Sequence, residues 1–415
     1  MAPKSGDKGK PSSIPFATKS VTAKGKKPSP TALVTPEDTE KLASGVVEGK
    51  TTQHQPAPAK PTPGFCPVPC FSPKTGKKRI NLALQGGGAH GAFTWGVIDR
   101  LLEDGRLEID AVSATSAGTM NGLCVAAGLT SGGPEGARML LETFWQRVSR
   151  VGDAFNPVKR LPWEKWICSW NMDFSPSYLF FDAVTRMVSP YQFNPLDINP
   201  LRDIVAETID FDLLKRCNQT RLFISATNVR NNRVKVFETG EITLDVAMAS
   251  ACLPFIFKAV EIEGEAYWDG GYMGNPALFP LFYHSACKDV LIVHINPIER
   301  EEIPTTAAHI MNRVNEITFN SSLMKELRAV AFVQRLLEEG WLKEEFRDRL
   351  NYILLHSLRA DEVMKELSVA SKFESDWDFL LHLKHLGQQE CSIWLEKNYE
   401  HIGHKSTVEV NNEFL

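Results

Sequence analysis

The apolar positions fall into short unbroken runs set between glycines. Ile80-Asn81-Leu82-Ala83-Leu84 is the first such run, and a nearly continuous apolar strand is one buried on both faces. After Gly86-Gly87-Gly88 the spacing changes. Phe93, Val97, Ile98, Leu101 and Leu102 recur at helical intervals, which predicts a helix over 92–102, closed by Asp104-Gly105. Residues 109–115 then read as a second strand and 117–127 as a second helix. Strand, helix, strand, helix at this spacing implies parallel pairing with a right-handed crossover. Further buried strands are expected at 221–229 and 289–296, with shorter ones near an edge at 234–238 and 259–262. Residues 244–251 predict a helix ended by Pro254.

Two regions follow other patterns. Between about 145 and 200 lies an aromatic insertion, with Trp145, Trp163, Trp166, Trp170, Phe174, Tyr178, Phe180, Phe181, Tyr191 and Phe193. Pro157, Pro162, Pro176, Pro190, Pro195 and Pro200 divide it into short pieces. After Pro304 the pattern turns helical. Ile310, Val314, Ile317, Met324, Leu327 and Ala331 form one stripe, and Phe379, Leu380, Leu383 and Leu386 form another. One more strand is expected within 349–358.

The chain has 415 residues and 43% apolar content, enough for a substantial core. Its net charge of -4 is unevenly spread: up to Arg79 there are 14 Lys/Arg against 5 Asp/Glu, so the remainder is strongly acidic. A basic tail on an acidic body does not read as a nucleic-acid enzyme. Residues 1–78 are rich in Pro, Lys, Ser, Thr and Ala. They cannot bury enough surface to offset their ordering entropy, so disorder is expected there. No run approaches the roughly 18 apolar residues of a membrane span, and the N-terminus lacks the apolar core of a secretory leader. The eight cysteines sit in apolar segments, which suits free thiols in a reducing, cytoplasmic setting. No cofactor is implied. Cys66 and Cys70 have no second Cys/His pair nearby, so no metal site is expected.

Three segments carry chemistry. Ser116 stands in Ala114-Thr115-Ser116-Ala117-Gly118, directly after a strand and before a small-residue helix. Such a break lifts a hydroxyl out of a sheet, and the helix points its positive end at it. Gly86-Gly87-Gly88-Ala89-His90-Gly91 opens a helix with a run of glycines, whose N–H groups can hold an anion. It lacks the Gly-Lys-Ser/Thr ending of a phosphate loop. Tyr267-Trp268-Asp269-Gly270-Gly271 places a carboxylate at the end of a short strand. Taken singly, the serine reads as a helix cap and Asp-Gly as a turn.

In this order and spacing the three resemble the patatin-like phospholipase family, whose pattern is a glycine-rich loop, a Gly-x-Ser-x-Gly elbow and a downstream Asp-Gly-Gly/Ala. Ala249-Ser250-Ala251-Cys252-Leu253-Pro254-Phe255-Ile256-Phe257 is similar to the family's Ala-Ser-x-x-x-Pro-x-x-Phe segment. Ala114 stands where the family usually has glycine, and His90 where Arg or Lys is common. The resemblance spans about 80–297. It implies a three-layer α/β/α fold with a mainly parallel central sheet, a catalytic domain over 79–300 and a helical C-terminal extension over 301–415. It implies Ser116 as nucleophile, Asp269 as base, and N–H groups of Gly86, Gly87, Gly88 and Ala117 as the oxyanion hole. The substrate would be a phospholipid or similar hydrophobic ester, met by peripheral contact with a membrane or granule surface. His90, Trp163, Trp166 and Trp170 are the expected substrate-pocket residues, although the aromatic insertion also fits a core beneath a second layer. Three alternatives stay open. One is an esterase for storage polyester or hydroxyacyl oligomers. Another is a Ser-Asp-His hydrolase using His284, His294 or His309. The last is a silent lipid-binding member.

Overall fold

The computed structural model describes residues 70–415 except 161–163, 165–169, 171, 344–349 and 415. Most of the tail expected over 1–78, and Trp163 and Trp166, lie outside the described residues. The strands are β1 (Lys78–Leu84), β2 (Leu107–Ala114), β3 (Arg221–Asn228), β4 (Arg233–Glu238), β5 (Val260–Ile262), β6 (Glu265–Asp269), β7 (Asp289–Val293) and β8 (Leu354–Leu358). They form one sheet in the order β5-β6-β3-β2-β1-β7-β8, with β4 also paired to β3. The β3-β2-β1-β7-β8 body is parallel, and the β4, β5 and β6 pairings are antiparallel.

Burial follows the period of two on both faces. Leu82, Leu84, Val112, Ala114, Leu222, Ile224, Leu291 and Val293 enter one core, while Ala83, Ala111, Phe223, Val290 and Ile292 enter the other. This two-sided burial is why the strands read as unbroken apolar runs. The first core is covered by α1 (Gly91–Asp104), α2 (Ala117–Phe155), α4 (Pro200–Thr208), α5 (Leu244–Ser250) and α7 (Trp377–Asn398), with α3 (Pro176–Met187) outside it. The second is covered by α6 (Ala307–Glu338). The protein is thus a mixed α/β fold with a central, mostly parallel sheet and C-terminal helices.

Local signals set the boundaries. Gly105 is left-handed (φ 68°), and its N–H donates to the Leu101 carbonyl, closing α1. Gly132 and Gly133 break α2, and Pro134 restarts it. Between α1 and α7, a Cβ on Gly96 would strike the Lys384 carbonyl and one on Gly387 the Phe93 carbonyl. The two backbones therefore meet closely, with Trp95 stacked on Trp145 and in tilted contact with Trp377. No helix among the described residues is long and apolar enough to cross a membrane, and the six described cysteines are free.

The stripe expected on α6 is corrected. Ile310, Val314 and Ile317 face outward, and the buried positions of that first half are Asn312, Glu316, Phe319 and Asn320. The inner face is polar there because each polar group has a partner. Asn312 donates to Asp173, Arg300 pairs with Glu316, and Asn320 accepts from Gln85. Farther along, Leu323, Leu327, Val330 and Ala331 restore the apolar contact.

Candidate active site

The site begins with a strand exchange at β3. Strand β2 pairs with β3 up to Ala114, opposite Ile224. β6 then takes over the same edge, with Asp269 opposite Ala226. Two residues past Ala114 is Ser116. Had β2 continued straight, residue 116 would also have faced Ala226. The chain instead turns out of the sheet, and Asp269 fills the vacated register position. Residues far apart in sequence thereby arrive at one point on the sheet.

The turn itself is strained. Ser116 has φ 55° and ψ -120°, a region non-glycine residues seldom adopt and one associated with functional sites. Its N–H donates to Ser250 Oγ at 3.0 Å, and Ser250 Oγ meets Thr119 Oγ1 at 2.8 Å. Gly118 is held against the Leu84 carbonyl, where a side chain has no room. The segment at 249–257 braces both partners, since the Asp269 N–H donates to the Cys252 carbonyl at 2.8 Å. Ala114, in place of the glycine usual there, is accommodated: its methyl lies fully buried in the first core.

Asp269 is fully buried. Its Oδ1 accepts from the Gly271 N–H at 2.7 Å; a Cβ on Gly270 would strike the Ser225 carbonyl and one on Gly271 the Phe319 ring, which explains both glycines after the carboxylate. Burial pushes its pKa up to about 6, opposed by the Gly271 N–H, the Ser116 hydroxyl and the Lys372 charge. Oδ2 has no hydrogen-bond partner among the described residues. The Ser116 hydroxyl lowers the pKa of the carboxylate, yet no well-formed hydrogen bond joins the two. Such looseness is ordinary in an unliganded site.

The glycine loop is positioned by side-chain amides. Gln85 Oε1 accepts from the Ile295 and Asn296 N–H groups. Asn296 Nδ2 donates to the Gly86 carbonyl at 2.9 Å. Gly87 and Gly88 line a cavity of about 480 Å³ together with Ser116 and Ala117. Gly86 does not: its N–H is spent on Asn275 Oδ1 at 2.6 Å, so it is no oxyanion donor. It is glycine because a Cβ would come within 2.6 Å of Ser116 Cβ. Gly88 (φ +59°) packs on the Lys372 carbonyl. If the loop N–H groups receive an oxyanion, Gly88→Ala should displace them and lower kcat by about 100- to 1,000-fold, the scale of one lost oxyanion donor. Steady-state ester hydrolysis checks this, and full activity would contradict it.

The rest of the cavity wall is largely apolar: Met120, Phe144, Trp145 and Val148 from α2, Leu201 and Ile204 from α4, and Leu253, Ile256, Phe257, Phe319 and Phe373. Two expected pocket residues lie elsewhere. His90 is buried, and its Nε2 meets Ser371 Oγ at 2.8 Å. Burial lowers its pKa to about 3, so it is a neutral brace behind the loop. Trp170 packs on Phe379 and His382, beneath the Arg160 guanidinium. Among the described residues no histidine is hydrogen-bonded to Ser116 or Asp269. His284 lies 3.8 Å from Glu238, His294 stacks on Phe414, and His309 is exposed on α6.

The model of the patatin-like phospholipase family matches residues 82–282. Among solved structures, VipD from Legionella pneumophila is 14% identical with a TM-score of 0.37, over 84% of this chain and 75% of that one. ExoU from Pseudomonas aeruginosa, in complex with SpcU, is 15% identical with a TM-score of 0.29, over 77% of this chain and 52% of that one. The match thus spans about half of ExoU. No curated protein matches the sequence.

Proposed function

We propose, from the premise that this chain carries a patatin-like phospholipase domain over residues 82–282 and so is a lipid acyl hydrolase, that it works through a Ser116–Asp269 dyad. Asp269 accepts the Ser116 proton as Oγ attacks the ester carbonyl. The Gly87, Gly88 and Ala117 N–H groups receive the oxyanion. The alcohol leaves with the proton, and an acyl-Ser116 ester remains. Asp269 then takes a proton from water, whose oxygen attacks that ester, and returns it to Ser116 Oγ as the free acid departs, which restores both groups. The observation that carries this reading is that Asp269 fills, opposite Ala226, the register position beside β3 that β2 leaves where it turns out of the sheet towards Ser116. A carboxylate is a weak base for a serine hydroxyl. Its upward pKa displacement narrows that gap while leaving it ionised at neutral pH.

The apolar cavity takes the acyl chain. Phe155, Phe193 and Ile198 line it and are also exposed, so its mouth suits peripheral contact with a lipid surface. The substrate follows: a phospholipid or similar long-chain ester in preference to hydroxyacyl oligomers, whose repeating esters would be buried among apolar walls without hydrogen-bond partners. Incubation with phosphatidylcholine vesicles and with hydroxybutyrate oligomers, followed by mass spectrometry of released acids, tests this. Fatty-acid release should exceed hydroxyacid release by about tenfold or more, the worth of one unpaired buried polar group. The opposite ranking would reassign the substrate.

A further inference from the structure

The dyad and loop all lie within 82–282, but two charged side chains reach the cavity from outside that span, Lys372 and Glu374, and Glu374 is already paired with Arg160. The turn Ala370–Phe373 packs on the glycine loop through the Ser371–His90 contact and the Gly88–Lys372 backbone contact. Lys372 therefore lines the same cavity as Ser116, Gly87 and Gly88. Its Nζ donates to Asn296 Oδ1 at 2.9 Å and Asn315 Oδ1 at 2.8 Å. The Asn296 amide cannot turn over, because its Nδ2 is held by Gln85 Oε1 and the Gly86 carbonyl.

Both hydrogen-bond partners of the ammonium are neutral, and so is the Phe319 ring it faces at 5.3 Å. Among the described residues no carboxylate lies within ion-pair distance of it. The two that act on it from farther away are Glu316 and Asp269. Glu316 is already paired with Arg300 and Arg313, and Asp269 is committed to the reaction proposed above. An ammonium whose hydrogen-bond partners are both neutral is costly beside apolar walls, and an anion reaching it there is attracted more strongly than in bulk water. Burial lowers Lys372 only to about 8, so it keeps its proton at neutral pH.

We propose that Lys372 is a specificity-determining residue, the receptor for an anionic oxygen group, phosphate or carboxylate, that the substrate carries near its scissile ester. The inference rests on reading the Ser116 cavity as the ester site. It gives the C-terminal turn a part in substrate choice: the charge sits on Lys372 while the acyl chain lies along α2 and α4.

Calorimetric titration with decyl phosphate, decanoate and 1-O-decylglycerol, below their micelle-forming concentrations, tests it. The three share a chain and contain no carboxylic ester, so turnover plays no part. Wild type should bind one of the anions about tenfold more tightly than the neutral glycerol ether, the scale of one charge-assisted hydrogen bond. The tighter anion identifies the group. Ser116→Ala should keep the preference. Lys372→Gln, which retains amide donors for Asn296 and Asn315, should reduce it to about twofold or less, and Lys372→Arg should restore most of it. Lys372→Met, of similar volume, serves as the second neutral variant if the glutamine protein does not fold. Equal affinity of wild type for anions and the neutral ether would overturn the proposal, as would a preference that survives loss of the charge. Absent ester hydrolysis with an intact anion preference would overturn the dyad reading alone.

Discussion

Ser116→Ala is expected to lower kcat/KM for p-nitrophenyl butyrate by about 10,000-fold or more, the scale seen when a catalytic serine is removed. The fold should survive. Alanine keeps the Cβ, so the strain at φ 55° is the same in both proteins. The backbone N–H still donates to Ser250 Oγ, and the cavity gains only the space of one oxygen. A melting temperature within about 2 °C of wild type, as for a substitution outside the core, would place the loss in the chemistry. Turnover within tenfold of wild type would remove Ser116 from the reaction.

Asp269→Asn should cost activity on the order of 10,000-fold and at the same time stabilise the protein. The carboxyl has a folded pKa of about 6 against an ordinary 3.8, so the folded chain holds this proton more tightly than the unfolded one. The contribution of Asp269 to stability therefore falls as pH rises from about 4 to about 6, and it stays low above that. At neutral pH the buried charge costs about 3 kcal/mol. Asparagine removes that cost and keeps an oxygen for the Gly271 N–H. The variant should melt roughly 5 °C higher at pH 7 and show no gain at pH 4. In wild type, kcat/KM should fall as pH drops through about 6, because the protonated acid cannot take the serine proton. A variant that melts lower at pH 7, or a rate flat from pH 5 to 8, would contradict this description of the carboxylate.

Legibility in the sequence depended on whether a feature is set locally. The elbow, the glycine loop and the Asp-Gly-Gly turn could be read because each needs small residues at fixed offsets. The structure supplies the physical reason at Gly86, Gly88, Gly118 and Gly270, each packed on backbone or on the serine itself. The central strands were legible because burial on both faces leaves no alternation to misread. The first half of α6 was not. Its inner face holds Asn312, Glu316 and Asn320, whose partners lie in distant segments, so an apolar stripe pointed to the outer face instead. The same limit hid Asn275, Asn296, Asn315 and Lys372, polar residues that acquire meaning only where separate loops converge. Position in a motif also misled. Gly86 and His90 stand in the loop, but one spends its N–H on Asn275 and the other braces Ser371.

The proposed dyad is an activated serine whose hydroxyl is served by a carboxylate alone. Reaction with a fluorophosphonate probe, followed by peptide mass spectrometry, tests it most directly. One label per chain is expected, on Ser116, absent in Ser116→Ala and formed about 100-fold or more slowly in Asp269→Asn, at the lower end of what a general base contributes. Folded wild-type protein that takes no label, takes it on another residue, or labels equally fast without the Asp269 carboxylate would contradict it.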